Sequence, residues 1–242
     1  MGWWIWYLST VRQGRSLEAL GQDLARRGIS HVFVKAGDGP NVWSQFAPAV
    51  DPLKAAGLKV FAWQYAYGDG PEAEARVGIH ALESGCDGLV LDIEAECEGK
   101  SDQVEVLWKA LRSSYPDAWI AWAPLPVIQL HDPDLYRVSA SHASAHCPQF
   151  YWADLGQPWG DLERLFSLWL GEMAQWKRDG LPDVPLMPIG QAYDAATADD
   201  IALFARYAKV SGCPAISFWS LDAATTVQRE AVEALNYGEG KA

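Results

Sequence analysis

DGLVLDIEAE, residues Asp87 to Glu96, opens with an acid, runs through branched apolar residues from Leu89 to Leu91, and ends in acids two apart: Asp92, Glu94 and Glu96. An apolar run of this length reads as a strand buried on both faces. Alternation then turns Leu89, Leu91 and Ile93 toward covering helices, and Val90, Asp92 and Glu94 toward the interior of whatever the strand helps to close. Acids at a strand end can simply cap the next helix or face solvent. Two of them at i and i+2 on a two-sided strand argue for more, because carboxylates held against an apolar wall have perturbed proton affinity.

Outward from this stretch, strand and helix signals alternate. Before it come Trp3 to Leu8 with SLEALGQDLARRG (Ser16 as N-cap, Gly28 as stop), His31 to Ala36 with a helix through Phe46 to Ala56, and Lys59 to Tyr67 with PEAEARVGIHALESG, whose Pro71 sits in the first turn. The acidic strand is followed by SDQVEVLWKALRSSYP and a fifth strand, Trp119 to Pro124. The His- and Asp-rich stretch Leu130 to His146 reads as a long loop with short helical turns. Cys147 to Trp152, Val184 to Tyr193 and Ala215 to Ser220 are the remaining strands, trailed by LERLFSLWLGEMAQWKR, ATADDIALFARYAKVSG and TTVQREAVEAL. Eight strand–helix pairs predict a single (β/α)8 TIM barrel of the α/β class, one domain over 1–242.

Net charge −12 and a pI near 4.8 argue against nucleic acid or an anionic membrane surface as partner. Thirteen Trp can fill a core and can also stack on the flat faces of sugars. Cys86, Cys97, Cys147 and Cys213 show neither CxxC spacing nor a zinc pattern with His, so reduced thiols are expected, disulfides remaining open. The start, MGWWIWYLSTVRQGR, lacks a basic leader and a cleavage site and reads as a first strand. No stretch is long enough to insert in a membrane, which leaves a cytoplasmic product or a non-classical export route open.

Barrel sites lie at the C-terminal strand ends. Those ends carry Tyr7 and Ser9; Lys35 and Asp38; Gln64, Tyr65 and Tyr67; Asp92, Glu94 and Glu96; Trp122; Gln149, Tyr151 and Trp152; Gln191 and Tyr193; and Trp219 and Asp222. No His for a triad or metal cluster stands among them, no Gly-rich phosphate loop precedes a helix, and no cofactor is expected. Acids, amides and aromatics are the makings of a carbohydrate cleft, since glycoside cleavage needs a protonated acid at the leaving oxygen and a second group for the oxocarbenium charge. Glu94, kept protonated by ionised Asp92 and the apolar wall, suits the acid. Lys35 is equally readable as a buried cation neutralising Asp92 or Glu94, and Trp63 and Trp122 as barrel packing. The pairs Gln149/Tyr151 and Gln191/Tyr193 each share a face and make better site candidates.

DGLVLDIE resembles the fourth-strand DGxDxDxE signature of family 18 glycoside hydrolases, the chitinase group, with Asp87, Asp92 and Glu94 in acidic positions and Val90 where the middle Asp would be. The stretch VFVKAGDG…FAPAVDPLKAAGLKVFAWQYAYG…LVLDIE is similar to family 25, the lysozyme-like muramidases that include endolysins, with Lys35, Asp92 and Glu94 in matching positions. The resemblance implies Glu94 as general acid/base and Asp92 as its assistant, orienting the substrate's own 2-acetamido oxygen. By the same likeness Tyr151 supplies a helping hydroxyl and Trp219 the floor of the sugar site. Where family 25 has a first-strand Asp, this chain has GWWIWYLS, which implies a divergent substrate, another assisting group such as Glu96, or an inactive relative; Asp222 after the eighth strand loosely matches a late Asp of the family.

Three expectations follow. The first is a glycosidase cutting an N-acetylated polysaccharide, peptidoglycan foremost, with Glu94 and Asp92 catalytic and Tyr151, Trp219, Lys35, Tyr65, Gln149, Gln191, Tyr193, Trp122, Glu96 and Asp222 lining the substrate site. The second is a glycan- or cell-wall-binding barrel without turnover, as a phage or surface-assembly module. The third is a lyase or isomerase barrel.

Overall fold

In the computed structural model, which describes residues 1–235 and 237, strands and helices alternate around a barrel; the other six positions of the 1–242 span lie outside the described residues. The described strands are β1 Gly2–Ile5, β2 His31–Asp38, β3 Asn41–Val42, β4 Lys59–Ala66, β5 Gly88–Ile93, β6 Ile120–Pro124, β7 Gln149–Phe150, β8 Ile189–Gln191 and β9 Ser217–Trp219. Their order is β6-β5-β4-β2-β1-β9-β8-β7, parallel throughout, and the short β3 folds back antiparallel on β2. His146 bridges Trp122 on one side and Leu186 on the other, bringing the two ends of the sheet together. This is the expected (β/α)8 barrel.

The alternation expected of the acidic strand holds. Val90 packs inside with Trp4, Phe33, Trp63, Ala121, Ala145 and Ile189, whereas Leu89, Leu91 and Ile93 join the outer core under the helices. Small residues on β6 and beside β7 leave room for the indoles of β1 and β4. Trp4 stacks on Phe33 at 4.7 Å and donates Nε1 to Ser217 Oγ at 2.9 Å. Gly88 opens β5 because a Cβ there would stand 2.4 Å from the Trp119 carbonyl.

Helix boundaries follow capping chemistry. Ser16 accepts from Ala19 N and Asp161 from Arg164 N, while Thr197 and Thr225 form capping boxes with Asp200 and Gln228. Three expectations need correction. The loop assigned to Leu130–His146 contains a ten-residue helix, Pro133–His142, capped by Asp132 and burying Leu135, Tyr136, Ser139 and Ala140. The strands expected over Cys147–Trp152 and Val184–Tyr193 shrink to two and three residues, because Pro148, Pro185 and Pro188 have no N–H for the ladder. The first strand ends at Ile5, and Leu8–Arg12 is helical. The four cysteines are unpaired thiols, and no described helix is long and apolar enough to cross a membrane.

Candidate active site

At the C-terminal end of the barrel a cleft of about 260 Å³ is lined by Trp6, Trp63, Tyr65, Asp92, Glu94, Leu125, Gln149, Tyr151 and Trp219. Asp92 is the penultimate residue of β5 and only 5 % exposed; Glu94 follows the strand's end and is half-buried. Gln149, from β7, ties them together: its Nε2 lies 2.8 Å from Asp92 Oδ1, 2.8 Å from Glu94 Oε1 and 3.2 Å from the Ala123 carbonyl. The two carboxylate oxygens are therefore no more than twice 2.8 Å apart.

Burial raises both acids. For Asp92 the effect is large, reinforced by the charge of Glu94 and opposed by Lys35; for Glu94 the hydrogen bond from Gln149 opposes it. A pair so close binds a proton above the ordinary carboxylate range as one unit. The sequence reading assigned that proton to Glu94. The deeper member is Asp92, so the low-dielectric wall favours the proton there and leaves the less buried Glu94 at the opening.

Lys35 is 0 % exposed. A bulge between Lys35 and Gly37 restores the inward direction at Asp38, so that Lys35 Nζ meets Asp38 Oδ2 at 2.6 Å. The ammonium is boxed by the rings of Trp6, Trp43 and Trp63 at 4.1, 4.6 and 4.7 Å. It underlies the site electrostatically without lining it.

At the rim, Tyr65 donates its hydroxyl to Glu96 Oε2 at 2.7 Å, and Tyr193 donates to Asp154. The Tyr193 ring stands 5.7 Å from that of Tyr151. Trp219 packs edge-on to Trp63 at 5.2 Å and to Trp6 at 5.6 Å, making one wall.

The structure thus brings Asp92, Glu94, Gln149, Tyr151, Tyr65 and Trp219 into one cleft, with Glu96 and Tyr193 at its edge. Four expected residues are elsewhere: Lys35, buried beneath the site, and three more. Trp122 points outward, 0 % exposed, donating Nε1 to His146 Nδ1 at 2.7 Å and packing on Tyr136; its neighbours Ala121 and Ala123 hold the inward positions, as alternation from Val90 would have shown. Gln191 is fully buried, accepting from Ala153 N and donating to Asp154. Asp222 accepts from Trp6 N at 2.7 Å and from Ser220 Oγ at 3.1 Å, bracing β1. Sequence reasoning missed Trp6, Leu125 and Asp154, and left Trp63 as barrel packing although it lines the cleft. Leu125 sits in the loop after β6 and Asp154 in the short helix Trp152–Leu155, where no strand periodicity marks them.

No protein-family model and no curated protein matches the chain. Among solved structures it is similar to the endo-1,4-beta-mannanase from Rhizomucor miehei, at TM-score 0.64 and 10% identity over 90% of this chain and 85% of that one. It is also similar to the spore cortex-lytic enzyme SleL of Bacillus megaterium QM B1551, at 0.64 and 8% over 96% and 72%. For a family 18 chitinase from Crocus vernus the values are 0.60 and 11% over 96% and 95%. A sugar phosphate isomerase/epimerase and an aldolase have comparable likeness, so the comparison shows the barrel and not the reaction.

Proposed function

We propose that the chain is a glycoside hydrolase acting on an N-acetylated glycan, with Glu94 as general acid/base and Asp92 assisting. The observation that carries this reading is the Gln149-bound carboxylate pair, buried on one side and open to an aromatic cleft on the other. Glycoside cleavage asks for a proton at the leaving oxygen and for compensation of positive charge at the anomeric carbon. Glu94 faces the opening and delivers the proton, replenished from Asp92 through their shared site. Asp92, once ionised, orients and stabilises a 2-acetamido oxygen attacking the anomeric carbon, with the Tyr151 hydroxyl as a second contact. Trp219 and Trp6 offer ring faces to the sugar. The names of the chitinase and the cortex-lytic barrel lend support to chitin-type and peptidoglycan polymers as first substrates.

A second reading, a glycan-binding barrel without turnover, draws on the end of β1, where Trp6 stands and no acid faces the cleft. Release of soluble reducing sugar from purified peptidoglycan and from chitin, by the wild type and by Glu94→Gln, separates the two. Release that Glu94→Gln abolishes supports the hydrolase; binding without release by the wild type leaves the binding barrel.

A further inference from the structure

We infer that the cleft selects glycans that are neutral or carry free amines, and rejects strands bearing a carboxylate on the sugar. This rests on the glycosidase reading of the same site and narrows its substrate class.

The argument begins with the hydroxyls that flank the carboxylate pair. A phenol has one proton to donate. Tyr65, which lines the cleft, gives its proton to Glu96 at 2.7 Å, and Tyr193, beside Tyr151, gives its proton to Asp154. Asp154 is held in that position by Gln191 Nε2 at 3.0 Å. Both phenolic oxygens are left with lone pairs only, so on either side of Asp92 and Glu94 the rim offers acceptors. Sugar hydroxyls and ammonium groups match them. A carboxylate does not.

The cations do not correct the balance. None of the cleft-lining residues is basic. Lys35 is 0 % exposed, paired with Asp38 and enclosed by three indoles, and so unavailable to a ligand. Lys100, beyond β5, is bound to the Tyr67 carbonyl at 2.9 Å and to Asp69 at 2.6 Å. The chain's net charge of −12 adds long-range repulsion of the same sign.

Three soluble oligomers of equal length test this: an N-acetylglucosamine hexamer, the half-deacetylated hexamer, and a peptide-free strand with a muramic-acid carboxylate on alternate sugars. At low ionic strength the wild type is expected to cleave the first two with a kcat/KM at least about tenfold above the third. The gap should narrow at about 0.5 M salt, and in the double variant Glu96→Gln/Asp154→Asn through a rise on the carboxylate strand. Equal or faster cleavage of the carboxylate strand by the wild type overturns the proposal, as does a gap the double variant leaves unchanged. If no oligomer is cleaved, the glycosidase reading fails, and calorimetric Kd values for the same three oligomers then decide the charge preference. The same order supports it; a flat or reversed order, or no binding at all, overturns it.

Discussion

Gln149 places its amide nitrogen 2.8 Å from Glu94 Oε1 and 2.8 Å from Asp92 Oδ1, so one neutral side chain from β7 joins the acid on β5 to the one just past its end. That hydrogen bond works against the upward push of burial on Glu94. In Gln149→Leu the donor that favours ionised Glu94 is gone, and the pair holds its shared proton to higher pH. The expected result is a basic limb of the pH–rate profile displaced upward, with kcat/KM reduced about 10- to 100-fold. An unmoved limb would show that Gln149 does not act through Glu94.

Asp92 also bears on stability. Its carboxyl is raised in the folded state, so its favourable contribution is complete below the ordinary carboxylate pKa and is lost as pH rises through the folded value. Asp92→Asn keeps an acceptor for Gln149 and removes the charge. Its Tm should match the wild type near pH 4 and exceed it at pH 7 to 8 by about 2–4 °C, equivalent to about 1 kcal/mol in a chain of this size. Thermal scans across pH read this directly, and a variant less stable at pH 8 would contradict it.

The Lys35–Asp38 pair is asymmetric, the lysine fully buried and the Asp38 side chain 30% exposed. Asp38→Ala strands a cation among three rings, whereas Lys35→Met leaves an acid that still reaches solvent and the Tyr67 hydroxyl at 2.9 Å. Denaturant unfolding should therefore give a loss of about 3–5 kcal/mol for Asp38→Ala and a smaller one for Lys35→Met. The reverse order would mean that the indole box alone holds the ammonium.

His146 is buried and held neutral, its pKa pushed down to about 3, and it accepts from Trp122 Nε1. A depressed folded pKa contributes stability that is present above about 6.5 and lost as pH falls through the window toward 3. His146→Phe should cost about 1–3 kcal/mol at pH 7 by orphaning the indole N–H. Between pH 6 and 4 the slope of its stability curve should be shallower by up to about 1.4 kcal/mol per pH unit. Parallel slopes for the two proteins would sink the assignment.

How much of this was legible in the sequence depended on whether period or partner decided the position. Period two placed Val90, Asp92 and Glu94 inside and Leu89, Leu91 and Ile93 outside. The Ser16 cap and Pro71 at the first helical position fixed helix starts because they act on their own backbone. The helix Pro133–His142 carried its signals too, Asp132 before Pro133 and an apolar spacing at Leu135, Tyr136 and Ala140, but its polar residues masked them. Trp122 was a period error, its outward direction being set by Ala121 and Ala123. What no local pattern could show is long-range pairing: that Gln191 turns to Asp154, that Asp222 braces Trp6, and that Lys35 meets Asp38 only because a bulge intervenes.

Between β6 and the end of the sheet, the wall is joined by single-residue bridges at His146 rather than by a full ladder. Gln149 reaches over that join from β7 to Asp92 of β5, to Glu94 just beyond it and to the Ala123 carbonyl of β6. Its amide is thus a clasp on the thinnest part of the cylinder. Opening of the barrel there should part Asp92 from Glu94 first, and a ligand seated between Tyr151 and Glu94 would rivet the join shut, slowing amide exchange at Cys147 and Met187, whose N–H groups bond across it to the Trp122 and His146 carbonyls.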